Sequence, residues 1–75
     1  MSVDDAAGII ERFLTDSSLY PQEWNDFVDT PQQNGVVEGY RKRCYQLDPL
    51  VNRPGGQDPG ALAELRRIVN ELQSR

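Results

Sequence analysis

Histidine is absent from this 75-residue chain and cysteine occurs once. A lone thiol forms no internal disulfide, so no disulfide framework is expected to hold so small a fold together, and a reducing compartment suits it. The same scarcity excludes ordinary structural zinc, whose ligands are drawn largely from cysteine and histidine. It also deprives Cys44 of the histidine base that a catalytic thiol usually has. No apolar run approaches the roughly 20 residues needed to cross a bilayer. The N-terminal stretch MSVDDAAGII is acidic and lacks the basic region and apolar core of a secretory signal. The expectation is a cytoplasmic protein without membrane, metal or cofactor.

Other chemistries fail on spacing. Setting Gly35 at the glycine position of a calcium-binding loop puts Thr30 first and Arg41 where a glutamate is needed. The stretch RPGGQDPG lacks the lysine and spacing of a phosphate-binding loop, and its glycines and prolines more simply make turns. A chain of this length forms one domain, residues 1–75, that buries only about 60% of the surface its unfolded chain exposes. Such a fold has little room for a pocket, so an enzyme is not expected.

What is present is helical periodicity. Ser2 and Asp5 form a capping-box pattern ahead of Ala6, Ile9, Ile10, Phe13 and Leu14, which share one face at about 100° per residue. Pro21 suits a first helical turn. Leu19 and Trp24 are placed to staple that entry, Trp24, Phe27 and Val28 form an inner face, and Thr30-Pro31 ends the segment. After PQQNG, residues Val37, Tyr40, Cys44 and Leu47 follow a three-four stripe, with Asp48-Pro49 expected to stop the helix. Asn34-Gly35 is also a hairpin signal, but Pro31 and the stripe that follows weigh against a strand. Beyond a Pro/Gly-rich loop over 48–58, Asp58 and Pro59 mark a helix start ahead of Ala61, Leu62, Leu65, Ile68, Val69 and Leu72, with Arg66 and Arg67 toward water. The fold class is therefore all-α, a compact bundle of three to four short helices.

Charge is unevenly placed. The net charge is −4, yet residues 1–35 carry seven acids against Arg12 alone, and residues 36–75 carry seven bases against five acids. Two clusters stand out. Arg41, Lys42 and Arg43 are consecutive, so on a helix they spread around the axis instead of forming one basic face. Glu38 lies four residues before Lys42, an ion-pair spacing, and the remaining bases are expected to pair with the acidic half. Cys44, on the apolar stripe, reads as a small core residue. Glu23, Asp26 and Asp29 fan across the outer face of the Trp24 helix as an acidic ridge suited to a basic protein partner.

The runs YPQEWNDFVD and GYRKRCYQLDP resemble a group of small bacterial helical proteins, mostly uncharacterised. In these, an aromatic–acid–acid–Phe–Ile/Val stretch precedes an Arg-x-Arg-Cys helix and a terminal amphipathic helix. Trp24, Asp26, Phe27, Val28, Arg41, Arg43 and Cys44 carry the resemblance. Asn25 stands where the group often has an acid, and the 48–58 connection departs from the usual one. Some of these proteins accompany polymorphic toxins, which implies an immunity role. The resulting expectation is non-catalytic protein–protein interaction, immunity-like inhibition of a basic toxin through Glu23, Asp26 and Asp29. The alternative is a small nucleic-acid-associated regulator using Arg41, Lys42 and Arg43, which the overall acidity disfavours.

Overall fold

Three of the four helices begin where a side chain accepts from the amides of the first turn. The structure, a computed structural model, describes residues 1–17, 21–53 and 55–75. It contains α1 (Val3–Thr15), α2 (Pro21–Asp29), α3 (Gly35–Val51) and α4 (Pro59–Gln73), with no strand among the described residues. At α1 the capping box is complete: Ser2 Oγ accepts from the Asp5 amide at 3.1 Å, and Asp5 Oδ2 accepts from the Ser2 amide at 3.2 Å. Asn34 caps α3 by accepting from the amides of Val36 and Val37, so the Asn-Gly pair opens a helix rather than a hairpin. Asp58 caps α4 through the Ala61 amide at 2.8 Å, with Pro59 in the first turn. The expected staple between Leu19 and Trp24 lies outside the described residues.

The helices form a ring in which α1 packs on α2, α2 on α3, α3 on α4 and α4 back on α1, with α1 also reaching α3 across the middle. The α1–α4 seam is the most extensive. The Cα radius of gyration is 11.2 Å, as expected of a compact chain of this length. Ile10, Phe13, Trp24, Phe27, Val37, Cys44, Leu65, Ile68 and Leu72 are buried at the centre. Trp24 stacks on Phe13 with centroids 4.1 Å apart and meets Phe27 in a tilted arrangement at 6.4 Å. Its indole Nε1 donates to Asp48 Oδ1 at 2.7 Å. One side chain thus ties the shortest helix to both neighbours, and its polar atom is satisfied rather than stranded.

One expected boundary is wrong. α3 does not stop at Asp48-Pro49 but runs through Pro49 to Val51. Proline removes the amide that would bond the carbonyl of Tyr45. Tyr45, 58% exposed, and Pro49 both stand on the exposed side of the helix. Beyond the proline, Val51 is buried at 1% exposure and the Asn52 amide closes on the Asp48 carbonyl at 2.8 Å. Burial of Val51 and this closing bond compensate for the missing one. The connection is then pinned by the Asp58 amide on the Leu50 carbonyl and by Gln57 Nε2 on the Val51 carbonyl. Gly55 and Gly56, at φ +88° and +127°, turn the chain in a region that other residues rarely adopt.

Candidate interaction surface

The basic triplet is built into the fold. Arg41 spans both oxygens of Glu38, with Nε on Oε1 at 2.6 Å and Nη2 on Oε2 at 2.8 Å, and its Nη1 donates to the Val28 carbonyl at 2.5 Å. That carbonyl is one of the last four of α2, which an α-helix leaves without internal partners. α2 has no basic residue in its own last turn, so Arg41 supplies from α3 the cation and donor that a helix C-terminus favours. Glu38 also accepts from the Gln32 amide at 2.8 Å, which fixes the α2–α3 turn. The Arg41 and Gln32 hydrogen bonds hold the Glu38 carboxyl far below its usual range, at about 2.

The expected Glu38–Lys42 pair is therefore replaced by Glu38–Arg41 at three-residue spacing. The planar fork of arginine reaches two oxygens and a carbonyl at once, which a lysine cannot do. Lys42 is exposed. Arg43 is paired with Glu64 and, at 3.5 Å, with Glu71, and it lies 5.3 Å from the centre of the Tyr40 ring. Tyr40 in turn donates to Glu71 at 3.3 Å. The expectation that these bases balance the acidic half is only partly met. Arg41 reaches back to the Val28 carbonyl, but the carboxylates paired with Arg41 and Arg43 lie on α3 and α4.

Cys44 is fully buried in the core, as its place on the stripe indicated. Desolvation pushes its thiol up to about 12, and the nearby Arg43 offsets this only in part. A thiol so protonated is a hydrophobe, not a nucleophile.

The acidic triplet divides. Glu23 is clamped by Arg12 across the α1–α2 seam, with Nε on Oε2 at 2.8 Å and Nη2 on Oε1 at 2.5 Å, which lowers the Glu23 carboxyl below its usual value. Asp26 is exposed and accepts from Gln22 Nε2 at 2.8 Å. Glu23 and Asp26 line one open hollow with Ile9, Phe27 and Thr30. Asp29 is exposed but does not line it; it lies on the α3 side of α2, where its charge acts on Arg41. The structure thus brings Glu23 and Asp26 together and separates Asp29 from them.

Two residues that the sequence did not single out join the first pair. Asp4 and Asp5, at the start of α1, line an adjoining hollow with Gly8, Arg12 and Glu23. Both hollows share Met1, Ile9 and Glu23. In the sequence Asp5 is legible only as part of a capping box at a helix start, because nothing local says that α2 lies beside it. No group of three or more histidine, cysteine or carboxylate side chains placed to hold a metal ion occurs among the described residues. No helix is long and apolar enough to cross a membrane.

Comparison with known proteins finds no matching family model, curated protein or solved structure. Of the residues that carry the resemblance to the small bacterial group, Trp24, Phe27, Val28 and Cys44 are buried and Arg41 and Arg43 are ion-paired within the fold; only Asp26 is exposed. Those residues report on packing far more than on a partner surface.

Proposed function

We propose that the protein is a non-catalytic protein–protein interaction module whose acidic α1–α2 side receives a basic protein, with immunity-like inhibition of a basic toxin as its concrete form in a bacterial cytoplasm. The observation that carries this reading is the distribution of ion pairs. Arg12–Glu23 joins α1 to α2, whereas Arg41, Arg43 and Arg67 all pair with carboxylates of α3 and α4. The charge left facing solvent on α1 and α2 is negative, and complementary charge speeds association and selects the partner. The nucleic-acid alternative loses support from the same pattern. Arg41 is 11% exposed and doubly bonded, and Arg43 is shared between two glutamates, so of the triplet Lys42 is left for a phosphate.

The test is affinity capture on the purified protein, followed by association kinetics with what is captured. One basic protein is expected, with an association rate that falls as salt rises and falls again in the Glu23→Gln, Asp26→Asn, Asp29→Asn triple variant. Recovery of nucleic acid instead, with binding lost on Arg41→Gln and Arg43→Gln, overturns the reading.

A further inference from the structure

The chain holds four asparagines, and Asn34 alone precedes a glycine; Asn25, Asn52 and Asn70 precede Asp26, Arg53 and Glu71. Asparagine is heat-labile because the next backbone nitrogen can attack its side-chain carbon, and glycine leaves that nitrogen unobstructed. Asn34 and Gly35 are both exposed. Beyond the neighbouring residues and the helix backbone, no atom lies within 4 Å of where a Gly35 Cβ would stand. Water therefore reaches this bond. The cap opposes the reaction. Asn34 Oδ1 accepts from the amides of Val36 and Val37, at 3.0 and 3.3 Å. Joining Asn34 Cγ to the Gly35 nitrogen requires that nitrogen to eclipse Cβ about the Cα–C bond, which for an L residue sets ψ at about −120°. Asn34 has ψ 113°. Rotation to the reactive value takes Oδ1 off both amides. It also turns the preceding chain away from α3, against the Gln32 amide bond to Glu38 Oε1 at 2.8 Å.

We propose that Asn34 is a self-modification site gated by the start of α3: it deamidates when the α3 cap opens and is protected while the cap is closed. In the open state the Gly35 nitrogen bonds to Asn34 Cγ, the Cγ–Nδ2 bond breaks, and ammonia leaves with the amide proton, delivered through water. Water then opens the resulting succinimide in one of two ways. Attack at Cγ restores the main chain and leaves an aspartate. Attack at the Asn34 backbone carbonyl leaves Gly35 joined through Cγ, an isoaspartate that lengthens the main chain by a methylene. The two products differ in consequence. An aspartate caps a helix as well as asparagine does, and its charge suits the helix N-terminus. The isoaspartate draws Cγ into the main chain, so the bonds from Oδ1 to Val36 and Val37 cannot re-form as they were. The Gln32–Glu38–Arg41 junction of α2 with α3 lies within the same turn and loosens with it.

The test is incubation of the full chain in warm, mildly alkaline buffer, with and without urea. Peptide mass spectrometry counts each asparagine turned acid, and chromatography separates the aspartyl from the isoaspartyl form. In urea Asn34 should react well ahead of Asn25, Asn52 and Asn70. In the native protein its rate should fall on the order of tenfold or more, and the fall should match the hydrogen-exchange protection of the Val36 and Val37 amides, which reports the same opening. Gly35→Ala should slow the reaction in urea. Gly35 has no positive φ and open space around it, so this variant should fold with its thermal midpoint unchanged or raised. Asn34→Asp should melt at or above the wild-type midpoint, and the isolated isoaspartyl form should melt below it. Equal Asn34 rates in native buffer and urea, a fall that does not match the Val36 and Val37 protection, another asparagine reacting as fast in urea, or no slowing by Gly35→Ala would each overturn the proposal.

Discussion

The two flanks of α2 are built differently. On the flank facing α3, polar groups are matched inside the fold: the Trp24 indole on Asp48, the Val28 carbonyl on Arg41, and Asn25 Oδ1 accepting from Asn52 Nδ2 at 2.7 Å. On the flank facing α1, the Arg12–Glu23 clamp lies beside two open hollows lined in part by Asp4, Asp5 and Asp26. A single nine-residue helix therefore carries three hydrogen bonds toward α3 on one side and, on the other, an ion pair beside exposed Asp26. A cluster counted along the sequence is not a surface. The basic triplet is consumed mostly by the fold, and the acidic triplet is divided between the hollow beside α1 and the α3 side.

The largest change that would break this contrast is at Trp24. Trp24→Ala removes the stacking on Phe13 and leaves Asp48 without its donor, and a loss of roughly 3–5 kcal/mol is expected. The whole stability of a 75-residue domain is only about 4–11 kcal/mol, so the variant should lose a large share of it and melt far below the wild type by far-UV circular dichroism. A cooperative melt at the wild-type midpoint would show that α2 is not held through this residue.

Cys44 comes next. Cys44→Ala should cost about 1 kcal/mol in urea unfolding, at the low end of large-to-small core changes. Cys44→Asp should cost far more, because it buries a charge without a partner. With its thiol raised to about 12 and fully buried, Cys44 should react slowly with a thiol reagent in the native protein and quickly in urea. Fast native labelling would place it at the surface.

The α3-side network also sets an acid dependence. The Glu38 carboxyl is depressed from 4.5 to about 2 in the folded protein. A depressed carboxylate contributes stability that is fully present above its unfolded value and is lost as the pH falls toward its folded one. The loss attributable to Glu38 should therefore fall between about pH 4.5 and 2. Glu38→Gln should flatten the fall in urea midpoint across that window; a slope equal to the wild type would mean that Arg41 and Gln32 do not hold the charged form.

The smallest effect is expected at Lys42, the member of the basic triplet left exposed. Lys42→Ala should change the unfolding free energy by no more than about 0.5 kcal/mol. Arg41→Ala should lower stability visibly in the same assay, since it frees the Val28 carbonyl and the Glu38 carboxylate together. Equal effects at the two positions would erase the distinction drawn between them.

What the sequence by itself determined is local. The capping residues Ser2 and Asp58, the first-turn Pro21 and Pro59, and the three-four stripes through Phe13, Trp24, Cys44 and Leu65 appear as expected, because caps and amphipathic faces depend on neighbours within a turn or two. What only the tertiary structure decided is where each charge goes and where one helix ends. Pro49 reads as a stop until Val51 finds the core, since burial supplied by other helices outweighs one missing hydrogen bond. Arg41 and Lys42 are both eligible partners of Glu38 by spacing, and only the Val28 carbonyl, thirteen residues away from Arg41, selects between them. The two hollows are not written in any one segment, because Asp4 and Asp26 come to flank Glu23 from either side only when α1 and α2 pack. Spacing along a chain fixes which face a residue shares within its own helix; which charges meet across helices depends on distances that exist only once the bundle has closed.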